Sequence, residues 1–204
     1  MKTFRVLHIC DYAALYRGNF IDSLESLEVY HDNVENFYLF PFRAKGTAAQ
    51  KWIEDLNNNR ERAYLQESNF IQNFMLLSRI QKKHKINRIV RHFSDAKIDI
   101  LIKLLFSGKH VIRFFHCGCE PKKNPFKHRF TEFIWHKNKL VGVSDAIAND
   151  IRKVHPKFSV YSIVNAIHFD RLDVQESFER VEGISLLMMI WGIAMYVLTA
   201  VGFH

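Results

Sequence analysis

The chain alternates between short apolar runs and longer stretches in which apolar residues recur every three or four positions. "FRVLHIC", Phe4 to Cys10, is a run of strand type that stops at Asp11. "NFIDSLESLE", Asn19 to Glu28, then sets Phe20, Ile21, Leu24 and Leu27 at helical spacing. "ENFYLFPF", Glu35 to Phe42, reads as the second strand, closed by Pro41, which has no backbone donor to give a ladder. A helix around Ala48 to Asn57, a short strand in "RAYLQ" near Ala63, and a helix marked by Phe70, Phe74, Leu77 and Ile80 follow.

The second half repeats the alternation more cleanly. Strands are expected at Ile86 to Phe93, His110 to Cys117, Leu140 to Ser144 and Phe158 to Val164. Helices are expected between them, at Ile98 to Leu105, Phe126 to His136 and Asp145 to His155. Strands alternating with helices of about a dozen residues imply right-handed crossovers. The expected fold is α/β, a Rossmann-like parallel sheet with helices on both faces. Such sheets bind ligands where strand ends lead into helix N-termini. That rule selects Asp11 to Asn19, His92 to Asp95, His116 to Glu120, Ser144 with Asp145, and Asn165 to His168. His92 and His116 stand out because they end consecutive strands.

Composition adds a net charge of +8 over 204 residues, much of it in "KKHKINRIVRH", Lys82 to His92, and "KKNPFKHR", Lys122 to Arg129. A solvated basic face, anionic headgroups or phosphate ligands, and nucleic acid compete as explanations, in that order. No zinc-finger, RRM or basic-zipper pattern supports nucleic acid, and none is expected as a partner. Cys10, Cys117 and Cys119 make no disulfide framework, and "MKTFRVLHIC" lacks the apolar core of a secretory signal, so a cytoplasmic location is expected. "HCGC" at His116 to Cys119 fits no common zinc spacing, and no metal is expected.

The first βα turn lacks G-x-G-x-x-G, its only glycine between Cys10 and Asn19 being Gly18, which argues against a dinucleotide site. No P-loop and no G-x-S-x-G elbow occurs. Gly18 precedes a helix, where first-turn amides and the helix dipole favour phosphate or sugar hydroxyls; a plain turn glycine is the alternative. Ser144 or Asp145 can cap the helix that follows, which suffices to explain both.

In order, these pieces resemble a known family. "LVGVSDAIANDIRK" followed by "VYSIVNAIHFDRLD" resembles the stretch with which family 4 glycosyltransferases of the GT-B fold leave their N-terminal domain. "YRGNFIDSLESL" resembles that domain's glycine loop and first helix, and "RHFSDAKID" with "KHVIRFFHC" its two central strands. The resemblance covers Thr3 to Asp173 and implies an acceptor-side domain over 1–173, with 174–204 as linker and apolar tail. It implies retaining transfer of a sugar from a nucleotide donor, with no metal cofactor, to a glycan or lipid-linked acceptor, at the inner face of a membrane. By position it implies Gly18 and Asn19 near the transferred sugar or diphosphate, His116 bordering the reaction centre and His92 on the acceptor side. Ser144 joins the substrate-binding candidates, and Asn165 falls at the interdomain hinge. Two features depart from the family: Ala166 and His168 replace its usual glycine and aspartate, and its Arg/Lys pair and E-x7-E segment have no counterpart.

Ile184 to Phe203 carries no charged residue. "ISLLMM" fits the first strand of a second domain, whereas "IWGIAMYVLTAVGFH" does not continue as the family does; the expectation is a truncated enzyme, inactive alone, whose frame is lost near Met189. The alternative is a basic, tail-anchored membrane interaction protein on a Rossmann-like scaffold.

Overall fold

In a computed structural model of the chain, the described residues are 3–18, 21–22, 24–25, 33–57, 60–93, 96–118 and 125–163. The run Phe4–Cys10 becomes β1, and its last four residues are buried because a strand inside a parallel sheet is covered on both faces. It is joined by β2 (Val34–Phe40), β3 (Ala63–Leu65), β4 (Arg88–His92), β5 (His110–Phe115), β6 (Lys139–Gly142) and β7 (Val160–Ser162). All seven strands are parallel, in the order β3-β2-β1-β4-β5-β6-β7. The chain steps outward from β1 to one edge, then crosses to β4 and steps to the other, the winding of a Rossmann sheet.

Five α-helices are described: α1 (Ala48–Asp55), α2 (Phe70–His84), α3 (Ala96–Leu105), α4 (Pro125–Trp135) and α5 (Asp145–Val154). A short 3-10 turn at Phe42–Ala44 follows Pro41, which ends β2 as expected. Helical backbone at Ile21, Asp22, Leu24 and Glu25 matches the start of the expected first helix. Local chemistry sets several helix starts: the side chains of Thr47, Asn69 and Ser144 each accept a hydrogen bond from a first-turn amide.

Alternation along the strands divides the core. Cys10, Tyr38 and Phe40 face Ile21, Trp52, Ile53 and Leu56 on one side. Leu7, Ile9, Phe37, Leu39 and Ile89 face Leu77 and Ile80 of α2 and Ile98, Leu101 and Ile102 of α3 on the other. At the β6 end, α5 lies so close that a Cβ on Gly142 would stand 2.5 Å from the Ala148 nitrogen, so only glycine fits there.

Two sequence expectations change. The second-half strands are shorter than their apolar runs: the one expected over Ile86 to Phe93 ends at His92, because Phe93 turns to a left-handed φ of 66°. The basic run Lys82 to His92 is not one face. Lys82, Lys83 and His84 close α2 beside its negative dipole end, while Arg91 in β4 is wholly buried.

Arg91 and Arg113, neighbours across β4 and β5, both reach Asp99 of α3, at 3.0 Å and 2.5 Å. Trp135 of α4 donates its indole N–H to the other Asp99 oxygen at 3.1 Å, and its ring lies 4.2 Å from the Arg113 guanidinium carbon. Two buried cations thus share one carboxylate, and burial lowers the Arg113 pKa to about 10 although Asp99 opposes the shift. The cluster ties α3 and α4 to the sheet through charge. Asp99→Asn removes the carboxylate charge that both guanidiniums share, and urea unfolding is expected to show a loss of about 3–5 kcal/mol. A change below about 1 kcal/mol would mean that the carboxylate does not hold these helices.

Candidate functional site

The strand order reverses between β1 and β4, so the loops leaving their C-terminal ends run in opposite directions and leave a crevice. The loop after β1 is held on several sides. The Asp11 amide donates to the His92 carbonyl at 3.1 Å, and the Asp11 carboxylate pairs with Arg43. Trp52 of α1 donates its indole N–H to the Ala14 carbonyl at 3.0 Å. Arg17 pairs with Asp22 at 2.7 Å and with Glu25. A Cβ on Gly18 would stand 2.7 Å from the Tyr12 hydroxyl, so the missing side chain lets Tyr12 lie against the loop. The Gly18 carbonyl accepts from the Ile21 amide at 3.0 Å, opening the helical turn.

Across this crevice runs a chain of buried hydrogen bonds. Asn36 lies opposite Val6, His92 opposite Cys10, and Phe114 opposite His92. Asn36, His8, His92 and His116 therefore climb one face of the sheet diagonally, each one strand across and two residues higher than the last. His8 Nε2 meets Asn36 Oδ1 at 3.0 Å, His8 Nδ1 meets His92 Nε2 at 3.1 Å, and His92 Nδ1 meets His116 Nε2 at 3.3 Å.

One end of the chain sets its polarity. Asn36 donates its amide N–H to the Leu24 carbonyl at 2.7 Å, which turns its oxygen toward His8. His8 must donate from Nε2 and, when neutral, accept at Nδ1. His92 then donates from Nε2 and accepts at Nδ1, and His116 donates from Nε2. The unprotonated ring nitrogen of His116 is then Nδ1. An amide oxygen cannot release a proton, so the chain fixes tautomers rather than conducting charge.

All three imidazoles are kept neutral. Burial lowers the His8 pKa to about 4, partly offset by the bond to Asn36, and lowers that of His116 to about 4. His92 is held well below its ordinary value by burial first, then by the charges that His8, His116 and Arg91 would present to it. Burial also raises the pKa of the Cys10 thiol, beside His92, so it is an inert core group. Phe93, in its left-handed conformation, stacks on His116 at 4.4 Å and 22° and lies 6.3 Å from the Tyr12 ring. A bulky residue at positive φ is strained, and here the strain holds an aromatic wall beside His116.

No known family profile matches the chain, and no curated protein matches it either. Among solved structures it is similar to a glycosyltransferase from Rickettsia africae ESF-5, at 15% identity and a TM-score of 0.61, over 93% of this chain and 50% of that one. The fold is glycosyltransferase-like. The chain spans about half the length of that enzyme, 50%. A match to a dTDP-glucose 4,6-dehydratase from Bacillus anthracis str. Ames in complex with NAD has 6% identity, covers 69% of this chain and 54% of that one, and carries no weight at a TM-score of 0.42.

Of the sequence candidates, His92 and His116 are joined by a hydrogen bond, while Gly18 packs against Tyr12, whose ring lies 6.3 Å from that of Phe93. His92 is 2% exposed, which makes it a group that orients His116 rather than one that meets solvent. Ser144 caps α5, its hydroxyl accepting from the Ile147 amide at 3.3 Å. Asn19 and Asn165 lie outside the described residues, as do Cys119 and the tail. Sequence reasoning passed over His8 and Asn36. Their signal was a polar residue inside an otherwise apolar strand, a position that demands a buried partner.

Cavities lie at both ends of the sheet. One of about 540 Å³ sits by the C-terminal ends of β2 and β3, lined by Phe42, Arg43, Gln66, Asn69 and Phe70 among others. Another, about 460 Å³, lies at the opposite edge near His110 and Trp135. The first is on the edge where open α/β sheets bind ligands.

The histidines predict a pH dependence. Their folded pKa values lie below the unfolded value of about 6.5, so the folded state binds fewer protons and stability rises with pH. The contribution is complete above about pH 6.5 and is lost as pH falls through about 4. Denaturation at a series of pH values should show this decline, shallower in His116→Gln; identical profiles would mean that His116 is not desolvated.

Proposed function

We propose that the chain is the acceptor-side half of a retaining, nucleotide-sugar-dependent glycosyltransferase of the family 4 type. The single observation that carries this reading is His116, delivered as a neutral imidazole with its tautomer set, at the crevice of a glycosyltransferase-like fold. The domain spans 1–173, and 174–204 leads toward the second domain, which supplies most of the donor site.

His116 borders the reaction centre, where its neutral imidazole orients the transferred sugar or the acceptor. Its neutrality means that it orients; it does not balance the diphosphate. That charge falls to the amides after Gly18 and Asn19 and to groups of the second domain. The leaving diphosphate oxygen takes the acceptor proton in a front-face substitution, and no metal is required for transfer. His92 positions His116, and Asn165 belongs to the hinge.

The acceptor is a glycan or lipid-linked glycan met at a membrane surface. Among the described residues no helix is long and apolar enough to cross a membrane. Phe126, Phe130 and Phe133 are exposed along α4 next to Lys127 and Arg129, a pattern that suits the headgroup boundary of an anionic bilayer. The same observation favours the second reading, a basic membrane interaction protein without transfer activity.

Two measurements test the proposal. The purified chain is expected to bind polyprenyl-phosphate-linked glycans, and His116→Gln to weaken that binding about 3–10-fold, the worth of one hydrogen bond. No multiple turnover is expected from the chain alone with any nucleotide sugar, because proximity of donor and acceptor needs both halves of the cleft. Unchanged binding by His116→Gln would remove its role, and sustained turnover would refute the division of labour. For the membrane contact, co-sedimentation with phosphatidylglycerol vesicles should fall at least about 10-fold in Phe126→Ser/Phe130→Ser, each ring contributing about 1.5–3 kcal/mol when buried. Equal sedimentation would exclude α4 from the contact.

A further inference from the structure

On the opposite face of the sheet from the staircase, three metal-capable side chains converge. His128 and Glu132 are four residues apart on α4 and so share one helix face. His155 follows α5, where its amide donates to the Ile151 carbonyl at 2.7 Å. Its ring is fixed by packing: Trp135 lies at 5.3 Å and Phe158 at 5.8 Å, and the His128 ring stacks parallel to it, 5.0 Å away at 6°. One oxygen, Glu132 Oε1, stands 3.3 Å from His128 Nε2 and 3.6 Å from His155 Nδ1, and the ligand atoms of all three lie within 4.8 Å of one another.

These separations have a geometric meaning. A tetrahedral ion with ligand bonds of about 2.0–2.1 Å has ligand–ligand edges of about 3.3–3.4 Å. Both edges to Glu132 are near that length and longer than a charge-assisted N–H···O bond, about 2.7–2.9 Å. At 3.3 and 3.6 Å the two contacts to Glu132 lie beyond the usual N–H···O range of about 2.7–3.2 Å. A divalent ion instead takes two neutral imidazoles and one carboxylate and leaves a fourth position for water.

We propose that His128, Glu132 and His155 form a binding site for a divalent transition ion of the zinc class. Two nitrogens and one oxygen favour zinc, cobalt or nickel over magnesium or calcium, which prefer all-oxygen shells. Entry is from the His128 and Glu132 side, whose side chains are 25% and 19% exposed while that of His155 is 3% exposed. The ion clips the helix before β6 to the helix after it. It has a structural role on the face of the sheet opposite the staircase, and the proposal does not depend on the transferase reading.

The test uses the untagged full chain, stripped with a chelator and titrated with cobalt(II). One equivalent should give the intense visible bands of a tetrahedral site, displaced by zinc, and zinc should raise the melting temperature. Outer-shell changes alone weaken metal sites about 10–100-fold. His128→Gln and Glu132→Gln should therefore each lose at least about 100-fold in cobalt affinity while keeping the metal-free melting temperature, and the exposed-site control His110→Gln should bind normally. Because His155 is buried and its variant can fail to fold, the partly exposed pair carries the decision. Absence of stoichiometric binding in the parent chain, an octahedral spectrum, or binding untouched in both variants would overturn the site.

Discussion

The pairing of β1 with β4 is the constraint from which the crevice follows. It places the strand-order reversal in the middle of the sheet, and the Asp11 amide donating to the His92 carbonyl extends the pairing one step past the ladder. Beyond that point the two chains part. Everything assigned to the site hangs from this seam: the loop to Gly18, the Tyr12 and Phe93 rings, and the histidine staircase that crosses β1 and β4 at successive levels.

The two faces of the sheet handle buried polarity in different ways. Along the staircase itself every side chain is neutral, the internal donors meet acceptors, and a fixed amide sets the direction. Such bonds add only about 0.5–1.5 kcal/mol each, yet leaving one unmade costs more, so the register of three strands is tightly specified. On the other face, Arg91, Arg113 and Asp99 are charged and hold their places by Coulomb attraction and the Trp135 ring. A neutral staircase suits the proposed role of His116, which is to orient a sugar hydroxyl rather than to carry charge. A charged cluster suits the joining of helices to a sheet.

The elements were legible because their apolar periods are strong. β1 runs from Phe4 to Cys10 as its sequence implies, and α2 buries Leu77 and Ile80 of the four residues its spacing marks, while Phe70 and Phe74 stay exposed and Asn73 and Leu76 are buried instead. Strand ends were less legible: Phe93 is apolar enough to extend β4, and only its backbone conformation removes it. The run Lys82 to His92 misleads for a related reason, since adjacent charges in sequence can lie on a helix end and in a core. Of the site, His92 and His116 were visible as strand-end histidines, whereas His8 and Asn36 lay hidden in the middle of strands.

By itself the sequence determined which segments are strands and helices, their parallel winding, and hence the edge of the sheet where a site must lie, because these follow from local period and connection length. Only the tertiary structure decided that Asn36, His8, His92 and His116 touch in turn, and which nitrogen of each ring carries the proton. Register between strands is a long-range property: a shift of one residue sends each side chain to the other face and breaks the chain of hydrogen bonds at every step.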